Sequence, residues 1–595
     1  MVYPFESPTR ELKSLDGVWK LRFSPDARNG KNTAPGRAPR GAVEVAVPGS
    51  INEQVVDRKE YLTMDRVRYF KEFYVPASWS GKRLFLRFGS VTRRAVVYLN
   101  GMKLGMHEGG HLPFEFEITK KGKPGRANLL VVDVDNVLNE TTVPQGNIDP
   151  KVGGVASWRP GNLPNVHYDF FPFMGIDRPV MLYTTGPARL ESLHLVTRRL
   201  RRATASVHAS LRVSGRADTV RISCRELGLR HEIRLSGHSR EIETRFTAKN
   251  VRPWSPQSPR LYTLRFEMVR GGEVIDTYDL PFGFRTIAVK KGSVLLNGKR
   301  IFLRGFGRHE DNTIHGRGLS LPHLVKDYRL MQWIGANSFR TSHYPYSDED
   351  MYMADRLGFM VIDEVAANTL SMLAVQNKRA RAKLAKNHMQ QTAELIARDI
   401  NHPSVIAWSL GNECETFHRQ SVSYFTGMVR FAKSLDSSRP VTFVTNTGPA
   451  NERCAHVFDI ICLNTYPSWY TGCGKYEDIE RMLAPAVEGL WKKYRKPILI
   501  SEFGADTIPG VHSEHILMWT EEYQCAMIEQ IIRVAEKYPY VFGTHIWNLA
   551  DFKVGQHPGR AVNNWKGVFT RERQPKMAAH EIRRLWRGTG RVVGA

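Results

Sequence analysis

Asn401-His402-Pro403-Ser404-Val405-Ile406-Ala407-Trp408-Ser409-Leu410-Gly411-Asn412-Glu413 is the stretch on which the fold turns. Its middle, Val405 to Leu410, is short, apolar and β-branched at its start. That is the pattern of a strand buried on both faces, as in a parallel sheet. Ahead of it Met389, Ala393, Ile396 and Ala397 recur at helical spacing, and Asn401-His402-Pro403 breaks the pattern. After the strand the chain turns polar at once, at Asn412-Glu413. A carboxylate at the C-terminal tip of a buried parallel strand stands where α/β barrels place their chemistry. Read alone, Glu413 fits a helix cap or a surface position equally well.

Further along, Pro497-Ile498-Leu499-Ile500-Ser501-Glu502-Phe503-Gly504 repeats the design: a short apolar strand, then a glutamate at its tip. Two such glutamates on different strands of one barrel are what glycoside hydrolysis needs. One acid protonates the leaving oxygen, and the other attacks the anomeric carbon or activates water. His402-Pro403-Ser404 through Trp408 to Asn412-Glu413, with Ser501-Glu502 later, resembles glycoside hydrolase family 2. Within that family the chain is most similar to the β-glucuronidases, over nearly its whole length.

Strand–helix alternation begins at Arg285 and indicates a parallel sheet with crossovers. Candidate strands are Ile301–Phe306, Ala336–Thr341, Phe359–Asp363, Val405–Leu410, Val441–Thr445, Ile460–Leu463, Ile498–Ser501 and Val541–Trp547. Eight strands close a barrel. The expected architecture is multidomain: an N-terminal jelly-roll β-sandwich over 1–184, an immunoglobulin-like β-sandwich over 185–284 and a catalytic (β/α)8 TIM barrel over 285–595. Alternation in Gly17–Phe23, Leu84–Phe88 and Ala95–Leu99, with the hairpin signal Asn100-Gly101, carries the first reading. Ala205–Val213 and about 100 residues of short strands carry the second.

The chain has 595 residues and a 42% hydrophobic fraction, enough for several ordinary cores. No apolar run reaches the roughly 18 residues of a membrane span. Met1-Val2-Tyr3-Pro4-Phe5-Glu6 has no secretory pattern, so a cytoplasmic location is expected. The six cysteines are scattered, with no CxxC pair, which points to a reducing compartment and not to a disulfide framework or a zinc site. The net charge is +26, with local clusters at Arg198–Arg202 and Arg583–Arg587. No nucleic-acid-binding motif accompanies it, so the reading is a basic, solvated surface that favours anionic small substrates.

Polar residues crowd the expected strand tips: Arg308-His309-Glu310-Asp311, Ser342-His343-Tyr344, Asp363-Glu364, Asn464-Thr465-Tyr466 and Trp547-Asn548. The family resemblance implies roles for them. Glu413 would be the general acid/base, its pKa raised by burial and the second carboxylate, and Glu502 the ionised nucleophile. The family retains anomeric configuration, which implies carboxyl groups about 5–5.5 Å apart. Asn412 would bond the sugar 2-hydroxyl, Tyr466 would hold Glu502, and Trp547 would floor the sugar. Asp169, in Tyr168-Asp169-Phe170-Phe171, matches an aspartate that reaches the barrel mouth and bonds a sugar hydroxyl. Asn564 and Lys566 match the Asn-x-Lys motif that grips the uronic carboxylate, with Arg560 nearby; His343, Asn464 and Tyr470 complete the expected substrate-binding set.

Three departures stand out. Cys414 follows the first glutamate where proline is common, and Phe503 stands where tyrosine is common. The segment Ala366 to Lys386 departs from the apolar loop of some relatives, and its basic part, with Lys378, Arg379, Arg381, Lys383 and Lys386, is expected to be mobile at the barrel mouth. The resulting expectation is a retaining exo-β-D-glucuronidase acting on glucuronide small molecules or oligosaccharides. It would need no metal or organic cofactor, bind no nucleic acid or membrane, and form a homo-oligomer (dimer or tetramer), as relatives do. A β-galacturonidase, a non-catalytic acidic-sugar binding protein and a polyanion-binding structural protein remain open beside it.

Overall fold

The apolar runs beyond Arg285 close into a barrel. The computed structural model describes residues 2–23, 40–56, 62, 66–157, 163–235 and 240–588. Its eight barrel strands pair in parallel, in chain order, and the last returns to the first. They are β1 (Leu303–Gly307), β2 (Ser338–Arg340), β3 (Met360–Glu364), β4 (Val405–Asn412), β5 (Val441–Thr445), β6 (Ile461–Asn464), β7 (Ile498–Glu502) and β8 (Val541–Ile546). Every residue of β4, β5 and β7 is buried, as their continuous apolar runs require. Three short strands before β1, from Ile287 to Arg300, form a small sheet whose Val294 and Leu296 pack with Ile362, Ala407, Val444, Cys462 and Leu499. This plug fills the N-terminal end, so the strand tips face the open end.

Helices lie outside the barrel: α1 (Leu321–Ile334), α2 (Asp348–Leu357), α3 (Lys378–Asp399), α4 (Arg419–Leu435), α5 (Ile479–Tyr494), α6 (Glu521–Glu536) and α7 (Met577–Gly588). Between β5 and β6 the described residues hold a short 3-10 turn, Ala455–Val457, in place of an α-helix. Asn446 to Asn451 is rich in turn residues, and the buried Glu452 carboxylate accepts from Thr416 and Thr445 hydroxyls and from the Cys454 and Ala455 N–H groups. A satisfied buried carboxylate fixes this tight crossover.

The basic segment Lys378 to Lys386 forms the first turns of α3, begun by Asn377, whose side chain accepts from Ala380 N–H at 2.8 Å. Leu384 is buried there, and Asn387 donates to Thr141 O of the first domain at 2.9 Å. α3 runs antiparallel to β4, so its start still lies at the open end of the barrel.

Sheets of four and six strands build the first domain, with Leu21, Leu86, Val97 and Val132 in the core between them. Asn100 and Gly101 both take positive φ, 51° and 81°, in the hairpin joining Arg94–Leu99 to Met102–Glu108. The second domain packs sheets of three and four strands around Val207, Ile222 and Leu264. Residues ahead of β4 dock it on the barrel: Asn401 donates to Leu193 O at 2.7 Å and accepts from Leu195 N–H at 2.8 Å. His402 meets Asp355 at 2.6 Å beneath.

Buried ion pairs join the units. Arg87 meets Asp348, Arg317 meets Asp177, and Arg10 meets Asp276 at 2.7 Å with both side chains 1% exposed. Arg10 also donates to Leu190 O at 3.1 Å. Asp276→Ala should therefore strand a buried guanidinium and cost about 3–5 kcal/mol, against near-neutral removal of an exposed pair. The check is the thermal midpoint compared with that of Glu241→Ala, whose pair with Arg212 is exposed.

Candidate active site

The open end of the barrel collects the side chains at the strand tips. Near the end of β4 Gly411 takes φ 151°, where a Cβ would meet Ala367 O at 2.8 Å, and the turn after the strand holds Glu413 at φ 49°. A non-glycine residue in the left-handed region costs about 1–3 kcal/mol and persists where the surroundings enforce it. Here the Glu413 N–H bonds Val444 O of β5 at 2.8 Å, which turns the half-buried carboxyl toward the axis. Asn464, at the tip of β6, donates to Glu413 Oε1 at 2.7 Å and to Asn412 Oδ1 at 3.1 Å. Ser501 donates to Asn464 Oδ1 at 2.9 Å, so that amide is oriented from β7.

Glu502 ends β7 and is 4% exposed. Tyr466 OH donates to its Oε2 at 2.7 Å, and Arg340 Nη2 donates to its Oε1. His343 Nε2 stands 3.7 Å from the same Oε1, and its ring stacks on Trp547 with centroids 5.0 Å apart. Asn464 thus bridges β4 and β6 at one carboxyl, while β2 and β6 hold the other. Asn412 is itself held, donating to Asn368 Oδ1 at 2.9 Å.

Arg340 lay outside the sequence expectation, and Glu364 was expected only as a polar strand tip. Arg340 is 0% exposed, and it spans Glu502 and Glu364, which it meets at 2.9 Å. Glu364 also takes His343 Nδ1 at 2.9 Å and the Ser409 hydroxyl at 2.8 Å. Burial alone would raise the Glu364 carboxyl, but Arg340 and His343 outweigh it and hold it below the usual carboxylate range. An ionised Glu364 in turn keeps Arg340 aligned beneath Glu502. The available signal was an arginine in a short strand flanked by apolar residues, Ser338-Phe339-Arg340, beside a carboxylate at the tip of β3.

A second group forms where the β8 loop meets the first domain. Asp169 lies between aromatic residues whose rings pack on the barrel: Phe170 is 5.4 Å from His309 and 6.1 Å from His343. Arg560 donates to Asp169 Oδ2 at 2.9 Å, and Asn564 donates to the same oxygen at 2.7 Å. Tyr470 OH accepts from Arg560 Nη2 at 2.7 Å. Lys566 is 0% exposed, not the open cation a free clamp would be. Its ammonium meets Asp506 and lies 4.9 Å from the Trp469 ring and 5.0 Å from the Tyr470 ring. Asp506, a second residue missed in the sequence, also accepts from Arg560 Nη1 at 3.2 Å. The structure therefore assembles the expected residues into two adjoining groups. Glu413, Glu502, Asn412, Asn464, Tyr466, His343 and Trp547 form one, and Asp169, Tyr470, Arg560, Asn564 and Lys566 form the other. Tyr466 joins them, its ring 5.2 Å from Tyr470 and 5.8 Å from the Lys566 ammonium. Of the departures, Cys414 is buried and donates to Ala367 O at 3.3 Å, which packs the β3 loop against the catalytic turn; Phe503 is fully buried.

Paired carboxyls at the tips of β4 and β7 of a TIM barrel, ringed by amide, hydroxyl and aromatic groups, define a glycoside hydrolase. The chain belongs to glycosyl hydrolases family 2. The family's sugar binding domain matches residues 12–186, its central family 2 model 188–285 and its TIM barrel domain 287–589. The chain is 37% identical over 593 residues to the β-glucuronidase of Paenibacillus borealis, covering 98% of both. The crystal structure of Ruminococcus gnavus β-glucuronidase is similar with a TM-score of 0.91 at 36% identity, covering 99% of each chain. The same enzyme in complex with D-glucuronic acid is similar with a TM-score of 0.89 at 35% identity, covering 98% of this chain and 99% of that one.

Proposed function

We propose that this glycoside hydrolase is a retaining exo-β-D-glucuronidase that releases glucuronate from the non-reducing end of β-glucuronides. The observation that carries the reading is the cationic group beside Glu502. Lys566, Arg560 and Asn564 bring ammonium, guanidinium and amide donors to one wall of the site, suited to a carboxylate and left without a counter-charge by a neutral hydroxymethyl group. The relative that binds D-glucuronic acid supports the same substrate class.

The chemistry follows from the two carboxyls. Glu502, oriented by Arg340 and Tyr466, attacks the anomeric carbon and forms a glycosyl-enzyme ester. Glu413 gives its proton to the glycosidic oxygen as that bond breaks, then takes a proton from the water that hydrolyses the ester. Asn412, fixed by Asn368 and Asn464, offers its amide to the 2-hydroxyl, where contacts strengthen in the transition state. Trp547 on His343 supplies an apolar floor. The test is proton NMR of the first product formed from a chromogenic β-glucuronide. The β-anomer of glucuronate should appear before mutarotation; the α-anomer first would mean inversion.

Glu413 lends itself to a separate prediction. Glu413→Ala should depress kcat/KM by about 10²–10⁴-fold for a poor leaving group. It should lose far less on a dinitrophenyl-type glycoside that leaves unprotonated, with added azide restoring turnover at the deglycosylation step. Equal losses across leaving groups would remove the acid role from Glu413.

A further inference from the structure

Asp506 lies four residues beyond Glu502, in the loop after β7, and is 0% exposed. A lone aspartate at full burial needs partners for both oxygens. Its Oδ1 accepts at 2.9 Å from the N–H of Trp565, the residue between Asn564 and Lys566. Its Oδ2 receives the Lys566 ammonium and, at 3.2 Å, Arg560 Nη1. One carboxylate thus holds the backbone and both cations of the β8 loop. The neighbouring backbone adds a second tie, Thr507 N–H to Trp565 O at 3.0 Å, which registers the β7 loop against the β8 loop.

The charges explain why such a residue is needed. Lys566 and Arg560 are two cations in one buried site, and like charges so placed need an anion between them. Asp169 faces Arg560, but the cation beside the aromatic rings of Trp469, Tyr466 and Tyr470 meets Asp506. Among the described residues Asp506 is the one hydrogen-bond partner of the Lys566 ammonium. An ammonium has three donors, so two remain for a ligand. A flexible lysine held in this way loses less freedom when a carboxylate arrives.

We propose that Asp506 is the positioning residue of the acidic-sugar subsite. It aims Lys566 and Arg560 at the substrate carboxylate and so sets the preference for uronides over neutral glycosides. The inference rests on the glucuronidase reading above. Asp506 bonds the Trp565 N–H and the two cations of the β8 loop, so its effect should fall on binding of the acid group and not on bond cleavage.

The test compares wild type, Asp506→Asn and Asp506→Glu on chromogenic β-D-glucuronide and β-D-glucoside, with thermal midpoints measured alongside. Asp506→Asn keeps the shape and a Trp565 acceptor but removes the charge. Its glucuronide KM should rise by about 10–100-fold with kcat changed several-fold at most, while glucoside hydrolysis falls much less. Asp506→Glu keeps the charge, displaced by one methylene, and should recover part of the glucuronide KM. This variant also serves if the asparagine form does not fold. Equal losses on both substrates in the folded variants, or a glucuronide KM within about twofold of wild type, would overturn the inference. A wild type without glucuronide hydrolysis would instead overturn the functional reading beneath it.

Discussion

Glu502→Ala should lower kcat for a β-glucuronide by on the order of 10⁵-fold, the scale seen when a covalent nucleophile is removed. The geometry leaves no substitute. Glu413 sits on the far side of the Asn464 bridge, and Glu364 is fully engaged by Arg340, His343 and Ser409. Truncation also opens a methyl-lined space where Arg340 and Tyr466 offered donors to the carboxylate, a space suited to a small anion. Azide should therefore restore measurable turnover of an activated substrate and yield the α-glycosyl azide, with configuration inverted. The check is stopped kinetics with product NMR; retention of activity within tenfold would move the nucleophile elsewhere.

Lys566→Met carries the second large effect. The substitution keeps the stem beside Trp469 and Tyr470 and removes the ammonium. A charge-assisted contact to a desolvated carboxylate is worth about 2–5 kcal/mol, which is roughly a thirty- to several-thousand-fold fall in glucuronide kcat/KM. A neutral glucoside never uses the contact and should change little. Because Lys566 and Asp506 are each 0% exposed, the loss should also reach stability. Asp506 would retain Arg560 and the Trp565 N–H but lose its nearest cation, and the thermal midpoint should fall. Measuring both substrates and the midpoint separates the two roles. A glucuronide rate within about twofold of wild type would leave Arg560 as the carboxylate partner.

The barrel was legible in the sequence because buried parallel strands must be continuously apolar, and the change to polar residues at each tip is abrupt. Val405–Leu410 with Asn412-Glu413 and Ile498–Ser501 with Glu502 show this most clearly. The Asn564-x-Lys566 spacing, once set after the eighth strand, marked the second group in the same way. What escaped notice depends on contacts distant in sequence. Asp506 and Lys566 are separated by 60 positions, and Asp169 and Arg560 by 391. No local pattern reports either pair. Arg340 was hidden by its setting, since a charge within a buried strand is intelligible only when Glu364 and Glu502 are seen to flank it. The basic run from Lys378 was not assigned to a helix, because what makes it one is the Asn377 cap and the burial of Leu384 against the barrel. The 3-10 crossover after β5 did have a local signal in Gly448-Pro449 and Asn451, residues that stop a helix before it begins.

The central claim is that the cationic wall beside the catalytic pair selects a glucuronic acid. The most direct measurement is kcat/KM of the wild-type enzyme on chromogenic β-D-glucuronide, β-D-galacturonide and β-D-galactoside under one set of conditions. Glucuronide should exceed galactoside by at least about a hundredfold, since a neutral group leaves Lys566, Arg560 and Asn564 without their carboxylate. It should also exceed galacturonide, whose C4 hydroxyl has the opposite configuration and would meet Asp169 differently. Galactoside cleaved as well as glucuronide would contradict the role of the wall, and galacturonide cleaved faster than glucuronide would contradict the choice of sugar.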